Sequence, residues 1–253
     1  LLIIDMQNDF CKPDGALYVN GAESDVARLE RYISANTDRI GQIVLTQDNH
    51  HVIDISHPGF WEDPMGNIPL PFTIISAKDV GEGKWKPRFW SEEAVKYIHD
   101  LESQCEFPHT IWPEHCIIGS TGAAIVDEIM NPVRKWAGKG HFFDLIVKGT
   151  NPLTEHFGAL MANIPVSGSP ETQLNTDLVK KLRQYDRILI AGEARSHCVA
   201  TTVKQLLNIG GFATRMVILE DCMSDVTGFE TLALPIYERA KEEGVKFVLS
   251  EDI

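Results

Sequence analysis

Six short runs constrain this chain more than any other feature: Leu1–Asp5, Gln42–Asp48, Asp144–Lys148, Arg187–Glu193, Arg215–Glu220 and Val245–Leu249. Each is rich in Val, Ile and Leu and largely apolar throughout, rather than apolar at every second residue. A strand of that kind needs cover on both of its faces. Between the runs lie segments with helical spacing: Glu23–Ala35, Thr121–Met130, Thr176–Gln184, Val199–Leu207 and Phe229–Glu243. Strands that alternate with helices predict an α/β fold, a three-layer sandwich with a mostly parallel, doubly wound sheet.

One region interrupts the alternation. From Pro58 to Pro113 the chain holds most of its prolines and four of its five tryptophans. Ser91–Leu101 reads as a helix inside it. A long irregular segment in a compact domain is usually functional. It is expected either to roof a site or to be an insertion held by its own aromatic cluster.

Composition removes several classes of function. Thirty-six acidic against 23 basic residues leave a net charge of −13, which repels phosphate backbones and argues against nucleic acid as a partner. No apolar run approaches the length that spans a bilayer, and no signal peptide precedes Asp5, so neither a membrane nor secretion is expected. The chain opens inside a strand, so a few residues are expected to precede Leu1. Five cysteines, odd in number and without a CxxC pair, point to a reducing, cytoplasmic setting. The loops and turns that mark serine hydrolases, phosphate-binding NTPases, dinucleotide enzymes and HExxH proteases are all missing.

In open parallel sheets, ligands bind beyond the carboxyl ends of the strands. Here those ends carry Asp5, Asp48 and Lys148, and the fourth run leads into Gly192-Glu193-Ala194-Arg195-Ser196-His197-Cys198. Cys198 is the candidate nucleophile. A helix starting near it and a lysine beside it would both favour the thiolate. Asp5 could take the thiol proton and return it to a leaving amine, with Lys148 balancing the charge. Cys11, Cys105 and Cys222 lack such surroundings and read as structural. A second cluster, Asp48-Asn49-His50-His51, offers a carboxylate and an imidazole two residues apart. Those are ligands for zinc, iron or manganese. A third ligand is open among His51, His57, His115, His141, His156 and His197.

Five ordered segments carry a family resemblance. They are Asp5-Met6-Gln7-Asn8-Asp9-Phe10, Thr46-Gln47-Asp48-Asn49-His50, Ile111-Trp112-Pro113-Glu114-His115-Cys116, Val147-Lys148-Gly149-Thr150 and Gly192–Val199. Together they resemble the isochorismatase-like cysteine hydrolases, and within them the nicotinamidases. The resemblance implies Asp5, Lys148 and Cys198 as catalytic residues. It implies a divalent metal, zinc first with iron or manganese as alternatives, on Asp48, His50 and His115, with His57 as a further candidate. It implies an oxyanion held by the backbone N–H groups of Ala194 and Cys198, a cis peptide at Glu193–Ala194, and a substrate ring between Phe10 and Trp112. The partner is then a small-molecule amide, and a homo-oligomer stays open. Because these residues run from Asp5 to Cys198, one domain over 1–253 is expected, with an insertion at about 58–113.

The chain departs from the family pattern at Arg195 and Ser196, which stand where small and acidic residues are usual. This suggests an alternative, a cysteine hydrolase of an N-carbamoyl or ureido compound whose carboxylate meets Arg195 in a bidentate pair. A catalytically silent interaction module is the third reading, and the intact Asp5, Lys148 and Cys198 argue against it.

Overall fold

The computed structural model describes residues 1–253, and all six expected strands form within two residues of their expected bounds. In chain order the strands are β1 (Leu2–Ile4), β2 (Val44–Asp48), a small pair β3 (Trp61–Glu62) and β4 (Lys86–Pro87), then β5 (Asp144–Lys148), β6 (Ile188–Gly192), β7 (Met216–Leu219) and β8 (Lys246–Val248). The six long-range partners are all parallel, in the order β5-β2-β1-β6-β7-β8. The chain winds outward from β1 through β2 to β5. It then crosses back to place β6, β7 and β8 on the other side of β1. The switch point therefore lies between β1 and β6, the place where an open α/β sheet binds its ligand.

The helices are α1 (Asn8–Cys11), α2 (Ala22–Ala35), α3 (Ala77–Gly81), α4 (Ser91–Ser103), α5 (Asp127–Ala137), α6 (Thr176–Leu182), α7 (Ala200–Ile209) and α8 (Leu234–Glu242). On one face of the sheet, Val26, Leu29 and Ile33 of α2 and Ile129, Val133 and Trp136 of α5 cover Ile3 and Leu45. These positions recur at helical spacing, so each helix buries one stripe. On the other face, Leu178 and Leu182 of α6, Val203 and Leu206 of α7 and Tyr237 of α8 cover Ile4, Val44, Ile190 and Ile218. No helix is long and apolar enough to cross a membrane.

Three expectations need correction. The helix expected at Thr121–Met130 runs from Asp127 to Ala137. Residues before it form a turn and a bridge instead, because α1 uses their carbonyls: Asn8 N–H donates to Ala124 at 2.9 Å and Asp9 N–H to Gly122 at 3.0 Å. The helix expected from Phe229 starts at Leu234, where Pro235 sits in a first turn that needs no N–H from it. Finally, the sheet is not covered throughout. Leu145 and Val147 of edge strand β5 are 45% and 51% exposed, because the helical layer stops short of that edge.

The proline- and tryptophan-rich segment builds its own small core. Phe60, Trp61, Ile75, Tyr97, Ile98 and Leu101 pack with Ile55, Ala94, Ile111 and Ile164. It also reaches the switch point, where Phe72 meets Trp112 edge-on at 5.9 Å. The segment's own aromatic cluster is thus present, with one ring contact to Trp112.

Candidate active site

Asp5 follows β1, Asp48 and Lys148 end β2 and β5, and Cys198 follows β6. The topology brings all four to one edge. Lys148 Nζ lies 2.8 Å from Asp5 Oδ2 and 3.2 Å from Asp48 Oδ1. It also donates to the His156 carbonyl at 2.9 Å and lies 3.8 Å from Cys198 Sγ. All four side chains are buried. Cys198 sits in the wide turn Arg195–Val199 that leads into α7, where the first N–H groups of a helix lack internal partners. The peptide bond Glu193–Ala194 is cis.

Burial decides the charges. It pushes the Cys198 thiol well above its usual pKa, although Lys148 opposes this. It raises Asp5 as well, again against the pull of Lys148. Lys148 would lose its proton by burial alone, but Asp48 and Asp5 overcome that and raise its pKa well above the usual value. Asp48 also resists burial, held low by Lys148 and His50. The resting site is therefore a thiol beside a lysine cation that bridges two acids.

On the other side of Asp48 stand three histidines. Asp48 Oδ2 is 3.1 Å from His50 Nε2 and 4.0 Å from His115 Nε2, and one ligand atom from each of the three residues falls within 4.8 Å of the others. Tetrahedral ligands at zinc bond lengths stand about 3.3 Å apart, so the set fits a metal ion after small adjustment. The hydrogen bonds fix the tautomers to suit. His50 Nδ1 donates to Asp54 Oδ2 at 3.1 Å, His115 Nδ1 to the Pro113 carbonyl at 2.9 Å, and His57 Nδ1 to the His51 carbonyl at 3.1 Å. His115 and His57 thereby leave Nε2 with a free lone pair, the arrangement that metal-ligating imidazoles require, whereas His50 Nε2 is hydrogen-bonded to Asp48 Oδ2. His57 stands 5.2 Å from His50 and 5.4 Å from His115, ring centre to ring centre. Its Nε2 is buried without a partner. Burial, with a contribution from His50, lowers His115 to about 3, so it is neutral and able to ligate. His50 is the exception: Asp48 and Asp54 overcome its burial and raise its pKa well above the usual value.

The remaining histidines fall elsewhere. His51 is exposed, His141 stacks on Trp136, and His156 offers only its carbonyl to Lys148. His197 is part of the pocket wall. That pocket is lined by Phe10, Leu17, Trp112, Phe157, Ala194 and His197 around Asp48, His115 and Cys198. Phe10 and Trp112 thus both line it. Trp112 is fixed by an N–H bond to Glu155 at 3.2 Å, an acid that burial raises to about 7. Arg195 does not line the pocket. Its guanidinium pairs with Asp225 at 2.7 Å and lies over the Tyr237 ring at 4.8 Å. The carboxylate-binding role suggested for Arg195 is therefore corrected: its cation is already partnered.

Several working residues escape a reading of chemistry-bearing types. Thr46 Oγ1 accepts the Asp5 N–H at 3.0 Å and donates to Asp5 Oδ1 at 2.6 Å, holding Asp5 in its left-handed conformation at φ 43°. Gln7 donates to the Asp48 carbonyl and accepts the Asp48 N–H, both at 2.7 Å. Asp9 Oδ2 accepts the Cys116 N–H at 2.6 Å beside His115. Gln7 and Asp9 lie in the first quoted segment, so their signal was present without a role. Asp54 is itself held by the N–H and hydroxyl of Ser56.

Gly149 marks how tightly the lysine strand closes on the acid. It has φ +77°, and a Cβ there would meet Asp48 Oδ1 at 2.4 Å. Gly149→Ala is expected to displace Asp48 and weaken metal binding at least tenfold by chelator competition; unchanged affinity would show that Asp48 has room to move.

No family model matches the chain. In sequence it is similar to the nicotinamidase of Escherichia coli (strain K12), 27% identical over 212 residues, which are 83% of this chain and 76% of that protein. In structure it is similar to the nicotinamidase and pyrazinamidase of Acinetobacter baumanii. The TM-score is 0.68 at 21% identity, over 99% of this chain and 95% of that one. It is also similar to the pyrazinamidase of Pyrococcus horikoshii solved in complex with zinc, with a TM-score of 0.57 at 19% identity over 98% and 97% of the two chains. The chain is thus similar in sequence to nicotinamidases, and its α/β fold is the fold of these solved structures.

Proposed function

We propose that the chain is a metal-dependent cysteine amidohydrolase that converts nicotinamide to nicotinate and ammonia. The observation that carries the reading is the position of Lys148, within 2.8 Å of Asp5 and 3.8 Å of Cys198, beside the Asp48, His50 and His115 set. In this reading one sheet edge gathers a nucleophile, a proton carrier and a ligand set. The similarity to nicotinamidases supports the substrate.

In this reading the Cys198 thiol gives its proton to Asp5, and Sγ attacks the carboxamide carbon. Lys148 offsets the negative charge that then passes between Asp5 and the thiolate. The N–H groups of Ala194 and Cys198 hold the oxyanion. As the C–N bond breaks, Asp5 returns the proton to the leaving nitrogen, which departs as ammonia. The acyl group stays on Cys198 as a thioester. Asp5 then takes a proton from water, whose oxygen attacks the same carbon, and nicotinate leaves as the thiol is restored. Phe10 and Trp112 flank the ring. A divalent cation on Asp48, His50 and His115, with His57 as a further ligand, would supply a Lewis acid for the ring nitrogen or for water.

Purified protein supplied with zinc, iron or manganese is expected to release ammonia from nicotinamide with a kcat in the ordinary enzyme range, roughly 1–10³ per second. No ammonia with any of the three metals would reject the substrate. Release from an N-carbamoyl compound instead would favour the alternative, which lost its structural support when Arg195 proved to be paired.

A further inference from the structure

The nucleophile segment is bonded residue by residue to the loop that follows β7. Glu193 Oε2 accepts the Ser224 N–H at 3.2 Å. The Arg195 N–H donates to the Ser224 carbonyl at 2.8 Å, and its guanidinium donates to Asp225 Oδ2 at 2.7 Å. Ser196 Oγ accepts the Val226 N–H at 3.0 Å. From α8, the Tyr237 hydroxyl donates to the Arg195 carbonyl at 2.7 Å. These bonds enclose Ala194 and reach to the residue before His197. They involve Arg195 and Ser196, the two positions where the chain departs from the family pattern.

Glu193 is the unusual member. It is 0% exposed, and its Oε1 has no partner. No cation reaches it. The nearest acid, Asp25, lies beside it and also binds Arg28 through Oδ1 at 2.6 Å and the Ser224 hydroxyl through Oδ2. An ionised carboxylate without a cation in such a place would be very costly. A neutral carboxyl costs far less: it accepts from Ser224 through one oxygen, carries its proton on the other, and has Asp25 beside it as an acceptor. Burial and Asp25 both drive the pKa in that direction, well above the usual carboxylate range.

We infer that Glu193, as a neutral acid, together with Arg195 and Ser196, clamps the backbone of residues 194–198 onto Ser224–Val226 and so positions the N–H groups that hold the oxyanion. The inference rests on the proposed hydrolysis for the role of those N–H groups, while the clamp itself is a property of the fold. These three are positioning residues, since none needs to touch the substrate. A donor must sit about 3 Å from where the oxyanion forms, and losing one donor outright costs about 10²–10³ in kcat. Loosening the clamp therefore acts on kcat and leaves KM nearly unchanged.

The test compares Glu193→Ala with Glu193→Gln in the full chain loaded with metal. Glu193→Ala is expected to lower kcat about tenfold or more with KM within about threefold. Glu193→Gln, neutral and of the same shape, is expected to recover most of that loss. A second readout is nicotinaldehyde, to which Cys198 Sγ adds as the thiol proton passes to the carbonyl oxygen, giving a hemithioacetal whose oxygen occupies the oxyanion position. Its dissociation constant should rise in Glu193→Ala in step with kcat. A variant that merely loses folded protein keeps that constant. Equal kcat in Glu193→Ala and wild type, or an equal loss in Glu193→Ala and Glu193→Gln, overturns the inference. Should Glu193→Ala not fold, Arg195→Met and Ser196→Ala carry the same expectation for kcat and for the aldehyde, and no change in either variant overturns it. Amide hydrogen exchange over residues 194–198 separates the two readings. Wild-type protein without nicotinamide turnover rejects the function, whereas exchange no faster in Arg195→Met than in wild type rejects the clamp, whatever the substrate.

Discussion

Replacing Cys198 with alanine is expected to lower nicotinamide turnover by about 10⁴-fold or more, the scale on which removing a catalytic nucleophile acts. The fold should survive. Cys198 is buried, and its side-chain hydrogen-bonding neighbours are Lys148 at 3.8 Å and Asp5. Loss of one sulfur from the end of a helix that is otherwise intact costs about 1 kcal/mol, far less than the stability of a domain this size. The lysine explains why the effect should be so large. Burial holds the thiol well above its usual pKa, so a thiolate can form only when its proton moves to a neighbour and its charge meets a cation. Asp5 and Lys148 stand in those two places, and neither can attack the amide itself. Oxyanion N–H groups without a nucleophile would leave only the residual catalysis that binding provides. Retention of more than a few per cent of activity in Cys198→Ala, at unchanged circular dichroism, would remove Cys198 from the reaction.

How far this could be read from the amino-acid order depends on the distance over which each feature is written. The six strands were legible because each is a local run of apolar residues, and so was the parallel sheet that such runs demand. Asp5, Asp48, Lys148 and Cys198 were legible because the carboxyl ends of parallel strands converge, whatever the helices between them do. The start of α5 was not. Thr121 to Val126 have acceptable helical spacing, yet α1, more than a hundred residues earlier, captures their carbonyls. Exposure of Leu145 and Val147 was equally hidden, since being the last strand in the sheet is a property of the strand order. Arg195 gave the most misleading signal. A guanidinium three residues before a nucleophile suggests an anion site, and only the loop after β7, which brings Asp225 against it, and α8, which brings Tyr237, show the charge to be taken. Thr46, Gln7 and Asp54 act through hydrogen bonds to backbone or to other side chains, which residue type alone does not announce.

His115→Ala is expected to strip the site of metal, from about one equivalent per chain to below a tenth, measured by elemental analysis after dialysis. Loss of an outer partner of a ligand already costs about 10–100-fold in metal affinity, and His115 would be a ligand itself. The geometry supports the proposed cation there. His57 Nε2 is buried with no partner, His115 Nε2 faces Asp48 at 4.0 Å, and His50 is squeezed between Asp48 and Asp54. A buried acceptor left unsatisfied costs about 1–3 kcal/mol, so without a cation the cluster works against the fold. Binding to the folded state alone adds stability as RT ln(1 + [L]/Kd), about 4 kcal/mol at a thousandfold excess over Kd. Wild-type protein should therefore melt several degrees higher with zinc than with a chelator, and in His115→Ala that difference should collapse. The sign also separates the two roles of the site. In the chelated wild-type protein Cys198 should remain open to alkylation, because Asp5 and Lys148 do not depend on the histidines for their contacts with it. A melting temperature indifferent to chelation, with no metal recovered from the wild-type chain, would refute the ligand set of Asp48, His50 and His115 while leaving the thiol chemistry of Cys198 to be judged on its own.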